Sequence, residues 1–369
     1  MSKKIALLYS YGVFNNLTEE EARIVFLKGP DNIGNLVYLE VIRNLFKDID
    51  LISATELMND PVMAREKYFK ILLPFSNMLS PYFSTPLCRV IQDFELPIIL
   101  FSIGIQAPLE ANISDITLSA DSLALLNYCS SSNSLIGVRG VLSQKLLYKY
   151  KIKSKVVGCP SFSQVPIFSL SHFEEVVVNS TLSGHHRDLS SGIISFGIKN
   201  NASYALQDEG RLIADRYNIK QEEIGFSDSD AAYAKDFDNI LFDYGYYNDG
   251  RYEWGVQRDW FRKNSFFLTS YSNWISKIKK FDVSIGTRIH GNALALLNGI
   301  PALFIPCDLR CLELCQYHML PTLEFVNSDR KLRDVVTLIN YEAFFENLSY
   351  VKNNLLDYWC EVGISDYLN

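Results

Sequence analysis

The sequence predicts an α/β protein made of two doubly wound, Rossmann-like domains that face a cleft. Three observations lead there. Short apolar runs of strand length alternate with longer amphipathic stretches in both halves of the chain, the pattern of parallel strands covered by helices on both faces. The 369 residues suit two domains of ~150 residues each. A composition of 48% hydrophobic and 21% charged residues can bury a full core and excludes a disordered chain.

The elements follow in order. Ile5–Ser10 reads as a strand. Ile33–Phe46 reads as a helix, because Leu36, Leu39, Ile42 and Phe46 recur close to helical spacing. Lys70–Phe75 and Pro97–Ser102 read as buried strands ending in loops. Asp121–Tyr128 is a helix, Leu135–Val138 a strand, Val141–Tyr150 a helix and Lys155–Val157 a strand. From Ser161 to Ser191 the alternation breaks into Ser-, His- and charge-rich pieces, including SGHHRDLSSG, whose end reads as a linker. An N-terminal domain over 1–175 and a C-terminal domain over 190–369 follow from this. Gly192–Lys199 (GIISFGIK) reads as the strand that opens the second half. The stretch Asn200–Asn264 is rich in Asp, Tyr and Trp, with helices expected near Asp230–Phe242 and Arg251–Lys263. Ser265–Thr269, Phe281–Ile285 and Ala302–Ile305 read as strands, and Tyr271–Lys279 and Ile289–Asn298 as the helices between them. Two more helices are expected near Leu332–Asn340 and Ala343–Trp359.

Charge narrows the partners. There are 35 Lys plus Arg against 42 Asp plus Glu, a net charge of −7, which argues against nucleic acid as a partner. An anionic small molecule would need a local positive site instead. The apolar run Ile5–Tyr9 is too short for a secretory signal, and no window approaches the ~20 apolar residues of a membrane span. Seven cysteines over a long chain suit reduced thiols in the cytoplasm. Cys307, Cys311 and Cys315 fall four residues apart, with His318 following, and read as an apolar stripe on a helix, so no metal is expected.

The segment FDVSIGTRIHGNALALLNGIPALFIP is the most informative. A strand ends at Ile285–Gly286, and Thr287 can cap the next helix through its hydroxyl. Arg288 and His290 then fall in a helical first turn, where free N–H groups and the positive end of the dipole favour an anion. Gly291, Ala293 and Ala295 allow close approach of neighbours. Gly299 ends the helix and Pro301 starts the next strand. A surface ion pair for Arg288 and simple packing for His290 is the competing explanation.

These residues resemble the polysaccharide pyruvyl transferase family. Its R-[LI]-H motif appears as Arg288-Ile289-His290, followed by Gly299-Ile300-Pro301, the strand ALFIP and Cys307-Asp308. Asn32-Ile33-Gly34 is similar to the family's N-x-G-D loop and FSIGIQ (Phe101–Gln106) to V-S-x-G-I-G. GVRGVLSQKLL (Gly137–Leu147) is similar to S-V-R-D-x-x-S-x-x-x-L, and VVGCPSF (Val156–Phe162) to V-x-G-D-P-A. Three acids of these motifs are replaced, by Asn35, Gly140 and Cys159, and Tyr11–Lys28 is an apparent insertion.

The resemblance implies a glycosyltransferase-B-like fold with phosphoenolpyruvate as co-substrate and no cofactor or metal. The acceptor is a sugar diol of a cell-surface glycan or a lipid-linked saccharide. On that reading Arg288 holds the donor and His290 is the acid that protonates it. Thr287, Gly291, Arg139 and Lys199 complete the donor site, and Lys199 is placed there as the end of its strand. Arg139 serves equally well as an ion pair joining two loops. Asp31, Asn32 and Asn35 fall on the acceptor side, where Asp31 is either a base or a helix cap. Tyr244, Tyr246, Tyr247, Tyr252 and Trp254 either stack on sugars or pack. A lipid-linked acceptor would place the enzyme at the inner face of a membrane. A glycosyltransferase using a nucleotide sugar is the alternative the fold leaves open. The oligomeric state is not specified by any of these signals.

Overall fold

Strand β1 (Lys4–Tyr9) is apolar on both faces, as a strand buried in a parallel sheet must be. Ile5, Leu7 and Tyr9 belong to one core and Ala6 and Leu8 to another. A computed structural model of the chain describes residues 3–9, 33–89, 95–132, 134–170, 173–181, 187–207, 254–268, 270–324 and 330–369. Helix α1 (Asn35–Leu45) follows, then β2 (Ile49–Ser53), the short helices α2 (Ala54–Asn59) and α3 (Pro61–Lys67), β3 (Tyr68–Leu73) and β4 (Ile98–Leu100). These strands form a parallel sheet in the order β2-β1-β3-β4. Helix α4 (Ala120–Ser131) leads to β5 (Ile136–Val138), α5 (Val141–Lys149), β6 (Ser154–Val156) and the single turn α6 (Pro160–Ser163). Strands β5 and β6 pair in parallel, and a bridge from Val138 to Ile103 ties them to the loop after β4.

The second sheet is also parallel, in the order β11-β10-β7-β8-β9. Its elements are β7 (Val176–Asn179), α7 (Arg187–Lys199), β8 (Ser203–Leu206), α8 (Trp254–Asn264), β9 (Ser265–Phe267), α9 (Tyr271–Ile278), β10 (Val283–Gly286), α10 (Ile289–Leu297) and β11 (Ala302–Phe304). Helices α11 (Leu309–His318), α12 (Leu332–Val336) and α13 (Glu342–Glu361) complete the chain. Among the described residues no helix is long and apolar enough to cross a membrane. The architecture is α/β with parallel sheets in a two-domain Rossmann-like arrangement, as the alternation of elements requires.

Three expectations fail here. The run GIISFGIK is the end of helix α7, not a strand. It is buried at nearly every position, so its apolar residues show no clear period of two or 3.6. Gly197 leaves room for the Trp260 ring of α8, which a Cβ there would meet at 2.7 Å. The strand that opens the second sheet is β7, so that sheet begins at Val176, ahead of residue 190. The chain's end also does not stay with the second sheet. Phe344 and Leu348 of α13 pack in the second core, but Leu355, Tyr358 and Trp359 pack on the Ile5–Leu7 face of the first. Trp359 lies 4.5 Å from the Phe101 ring, and the Tyr358 hydroxyl donates towards the Leu100 and Leu135 carbonyls at 3.1 Å. Helix α13 thus ties the two halves together.

Candidate functional site

Both sheets turn their strand carboxyl ends towards one cavity of about 60 Å³, the position where open parallel sheets bind ligands. Arg139 follows β5, Thr181 follows β7 and Gln207 follows β8. Thr287 and Arg288 follow β10, and Cys307 follows β11. Asn35 at the start of α1, Ser76, Ile289 and His290 of α10, and Arg310 and Cys311 of α11 close it.

The corner after β10 is fixed by a buried amide network. Asn179 Nδ2 donates to Ser284 Oγ at 3.3 Å and to Asn292 Oδ1 at 2.9 Å, and Asn292 Nδ2 donates to the Gly286 carbonyl at 2.9 Å. The Arg288 backbone N–H donates to Asn179 Oδ1 at 2.9 Å. A Cβ at Gly286 would lie 1.9 Å from the Asn179 carbonyl oxygen, so only glycine fits. The expected Thr287 cap is not made. Arg288 occupies the cap position without a side-chain capping bond, and the Thr287 hydroxyl instead accepts from the Thr181 N–H at 2.7 Å. The side chain thus ties β10's corner to β7's.

Three guanidinium groups line this cavity. Arg288 Nε donates to the Ser180 carbonyl at 2.8 Å, which aims the fork inward. Arg139 Nε donates to the Ser102 carbonyl at 3.0 Å. Among the described residues Arg139 has no carboxylate within ion-pair distance. Arg310 pairs with Asp308 at 2.9 Å. Gly104 makes room for two of them, with its α-carbon hydrogen facing Arg139 Cδ and Arg310 Cγ where a Cβ would meet them at 3.0 and 3.1 Å. Three largely desolvated guanidinium groups gathered at one cavity form a site for an anion with several negative oxygens.

His290 packs its ring 4.9 Å from that of Tyr38, and its buried Nε2 has no hydrogen-bond partner among the described residues. Burial foremost, then Arg139 and Arg310, hold the imidazole well below its ordinary pKa.

Cys307 and Cys311 also line the cavity, with their sulfurs 3.9 Å apart. The hydrogen bond from Cys311 lowers the Cys307 thiol and raises that of Cys311. The two sulfurs and an Asp308 oxygen lie within 4.8 Å of one another. That carboxylate already accepts from the Cys311 N–H at 2.7 Å and pairs with Arg310, so a cation there would face a fixed guanidinium. We expect saturating inorganic phosphate to slow alkylation of Cys307 by iodoacetamide several-fold. The exposed Cys360 serves as the internal control. Equal rates with and without phosphate would show that the anion does not occupy this cavity.

Of the residues singled out in the sequence, Arg288, His290, Thr287, Arg139 and Asn35 meet here. Gly291 does not line the cavity. It admits the Gln207 amide, which a Cβ would meet at 2.4 Å. Lys199 is corrected. It ends helix α7 and lines a different hollow, with Phe173, Lys331 and Arg333. Asp31, Asn32, the pair His185-His186 and the tyrosines at 244, 246, 247 and 252 lie outside the described residues, as does the side chain of Trp254. Sequence reasoning missed Arg310, Thr181, Gln207 and the cavity-facing role of the two cysteines. Arg310 had a signal, its place two residues beyond the Cys307-Asp308 motif.

Comparison with known proteins gives one family. The sequence profile described as polysaccharide pyruvyl transferase matches residues 32–308. No curated protein matches the chain at a significant level. Among solved structures, a UDP-GlcNAc 2-epimerase from Methanocaldococcus jannaschii, in complex with UDP-GlcNAc and UDP, is 9% identical with a TM-score of 0.44, over 95% of this chain and 98% of that one. A putative UDP-N-acetylglucosamine 2-epimerase from Listeria monocytogenes is 12% identical with a TM-score of 0.40, over 98% and 94%. The glycosyltransferase SnogD from Streptomyces nogalater is 8% identical with a TM-score of 0.35, over 96% and 95%.

Proposed function

Because the chain belongs to the polysaccharide pyruvyl transferase family, we propose that it transfers pyruvate from phosphoenolpyruvate to a sugar diol, forming a cyclic ketal on a cell-surface glycan or its precursor. The observation that carries this reading is the convergence of Arg139, Arg288, Arg310 and His290 on one cavity. The donor bears a carboxylate and a phosphate close together, and three guanidinium forks match that charge.

His290 gives a proton to C3 of the enol, which becomes a methyl group and leaves C2 electrophilic. One sugar hydroxyl adds to C2. The C2–O bond to phosphate breaks, the arginines stabilising the charge on the leaving group, and the second hydroxyl closes the ketal. The two hydroxyls lose two protons. One restores His290 and the other leaves with phosphate, so three negative charges stand on each side. No cofactor is called on. Asn35 lines the cavity at the start of α1, and this face is the proposed acceptor side. A lipid-linked acceptor would be met at the inner face of a membrane.

In this reading His290 is neutral in the empty site and gains a proton when the donor offsets Arg139 and Arg310. Calorimetry of phosphoenolpyruvate binding near neutral pH, in two buffers of different ionisation enthalpy, should show net proton uptake. His290→Asn should lose that uptake. Tight binding of a nucleotide sugar with no binding of phosphoenolpyruvate would overturn the proposal.

A further inference from the structure

Helix α5 carries Arg139 at its entrance, yet its cap residue is Gly140, which has no side chain to serve the first free N–H groups. Gly140 is not required by its backbone. Its φ of −163° and ψ of −177° are extended values open to any residue. It is required by space. A Cβ there would lie 2.6 Å from Glu313 Cβ and 2.8 Å from Glu313 Oε2. Glu313 comes from α11, far away in sequence, and is 1% exposed. Its Oε2 accepts from the Ser143 backbone N–H at 2.8 Å, the third helical position that a cap side chain serves, and its Oε1 accepts from the Ser143 hydroxyl. The Ser143 hydroxyl in turn accepts from the Ile105 N–H at 3.2 Å.

This network joins the segments that hold Arg139. The Arg139 N–H donates to the Ile103 carbonyl at 2.9 Å, and its Nε to Ser102 at 3.0 Å. Glu313 also lies one helical turn beyond Arg310, so the same turn of α11 presents a cation to the cavity and an acid beneath it.

We propose that Glu313 is the positioning residue for Arg139, capping α5 from a distant helix so that the guanidinium is held at the anion cavity. The inference rests on the donor reading of that cavity. Glu313 touches no reacting atom, and acts through Ser143 and the loop of Ile103–Ile105.

The test compares the wild type with Glu313→Ala, Glu313→Gln and the double variant Gly140→Asp with Glu313→Gly. Affinities for phosphoenolpyruvate and for inorganic phosphate are measured by calorimetry, and thermal unfolding is followed alongside. Glu313→Ala should bind both anions at least ten-fold more weakly. Glu313→Gln should stay within about three-fold of the wild type, since its amide oxygen can accept from the Ser143 N–H. The double variant should recover most of the lost affinity, because Glu313→Gly removes the Cβ that an added Cβ at 140 would meet at 2.6 Å, and an aspartate at the cap then reaches the same N–H. Unchanged affinity in Glu313→Ala would overturn the proposal, as would a loss that Gly140→Asp does not repair. Should Glu313→Ala not fold, the double variant decides alone. If the wild type binds phosphate but not phosphoenolpyruvate, the donor reading fails, and the phosphate series still decides this one.

Discussion

Arg288→Ala is expected to weaken phosphoenolpyruvate binding by a factor between about 30 and several thousand, with the fold preserved. The range corresponds to the roughly 2–5 kcal/mol lost when one partner of a desolvated charge pair is truncated. The corner itself does not depend on the side chain. It is held by the Arg288 backbone N–H on Asn179 and by the Asn179–Ser284–Asn292 network, all of which alanine keeps. What alanine removes is the guanidinium aimed by its Nε bond to Ser180. Arg288→Lys keeps the charge but loses that aim and the two-pronged grip, so it should fall between the two. Calorimetry with circular dichroism separates the effects. Affinity within three-fold of the wild type in a folded Arg288→Ala would remove Arg288 from the donor site.

Much of the fold was legible because most elements carry their own signals. The strand–helix corner at Gly286–His290 announced itself through an apolar run, then Arg and His, then a helix ended by Gly299, which takes the positive φ of 75° that a glycine allows. Short capped helices were legible in principle. Ser53-x-x-Glu56 is a capping box that starts α2, and the Asp60-Pro61 pair starts α3. Helix α7 was not legible from the run GIISFGIK alone, because its positions 192–197 are all buried and eight residues of strand-like apolar sequence hide the helical period.

The site was legible on one side only. Arg139 and Arg288 lie in recognisable local motifs. Arg310, Gln207 and Thr181 reach it only because the two sheets face each other, and that is a property of the whole chain. The same holds for the replaced acids. From sequence, Gly140 and Cys159 looked like losses. In the structure α11 answers both, Glu313 serving the helix behind Gly140 and His318 accepting the Cys159 N–H at 3.0 Å. Neither long-range partner leaves a mark at the site it serves.

Those two residues should govern how stability depends on pH, and in opposite directions. His318 is fully buried, its Nε2 accepts from the Cys159 N–H, and its Nδ1 has no partner among the described residues. Burial foremost, with Arg139 adding to it, pushes its pKa from 6.5 down to about 3. Between those values the unfolded chain binds a proton that the folded chain does not. Stability is therefore lost as pH falls, on the order of 5 kcal/mol when the window has been crossed. Burial pushes Glu313 the other way, from 4.5 up to about 7, against the bonds from Ser143 that favour its charge. Here the folded chain holds the extra proton, so stability rises as pH falls from 7 to 4.5, on the order of 3 kcal/mol. His290 acts in the same sense as His318. Urea unfolding between pH 7.5 and 4.5 at fixed ionic strength reads the balance. His318→Gln keeps an acceptor for the Cys159 N–H and should flatten or reverse the acid loss. Glu313→Gln leaves both histidines unopposed and should steepen it, from about pH 7 downward. The carboxylates common to all three proteins cancel in these differences. A His318→Gln slope equal to that of the wild type would mean that His318 takes up its proton without unfolding, and would remove it as a source of the acid loss.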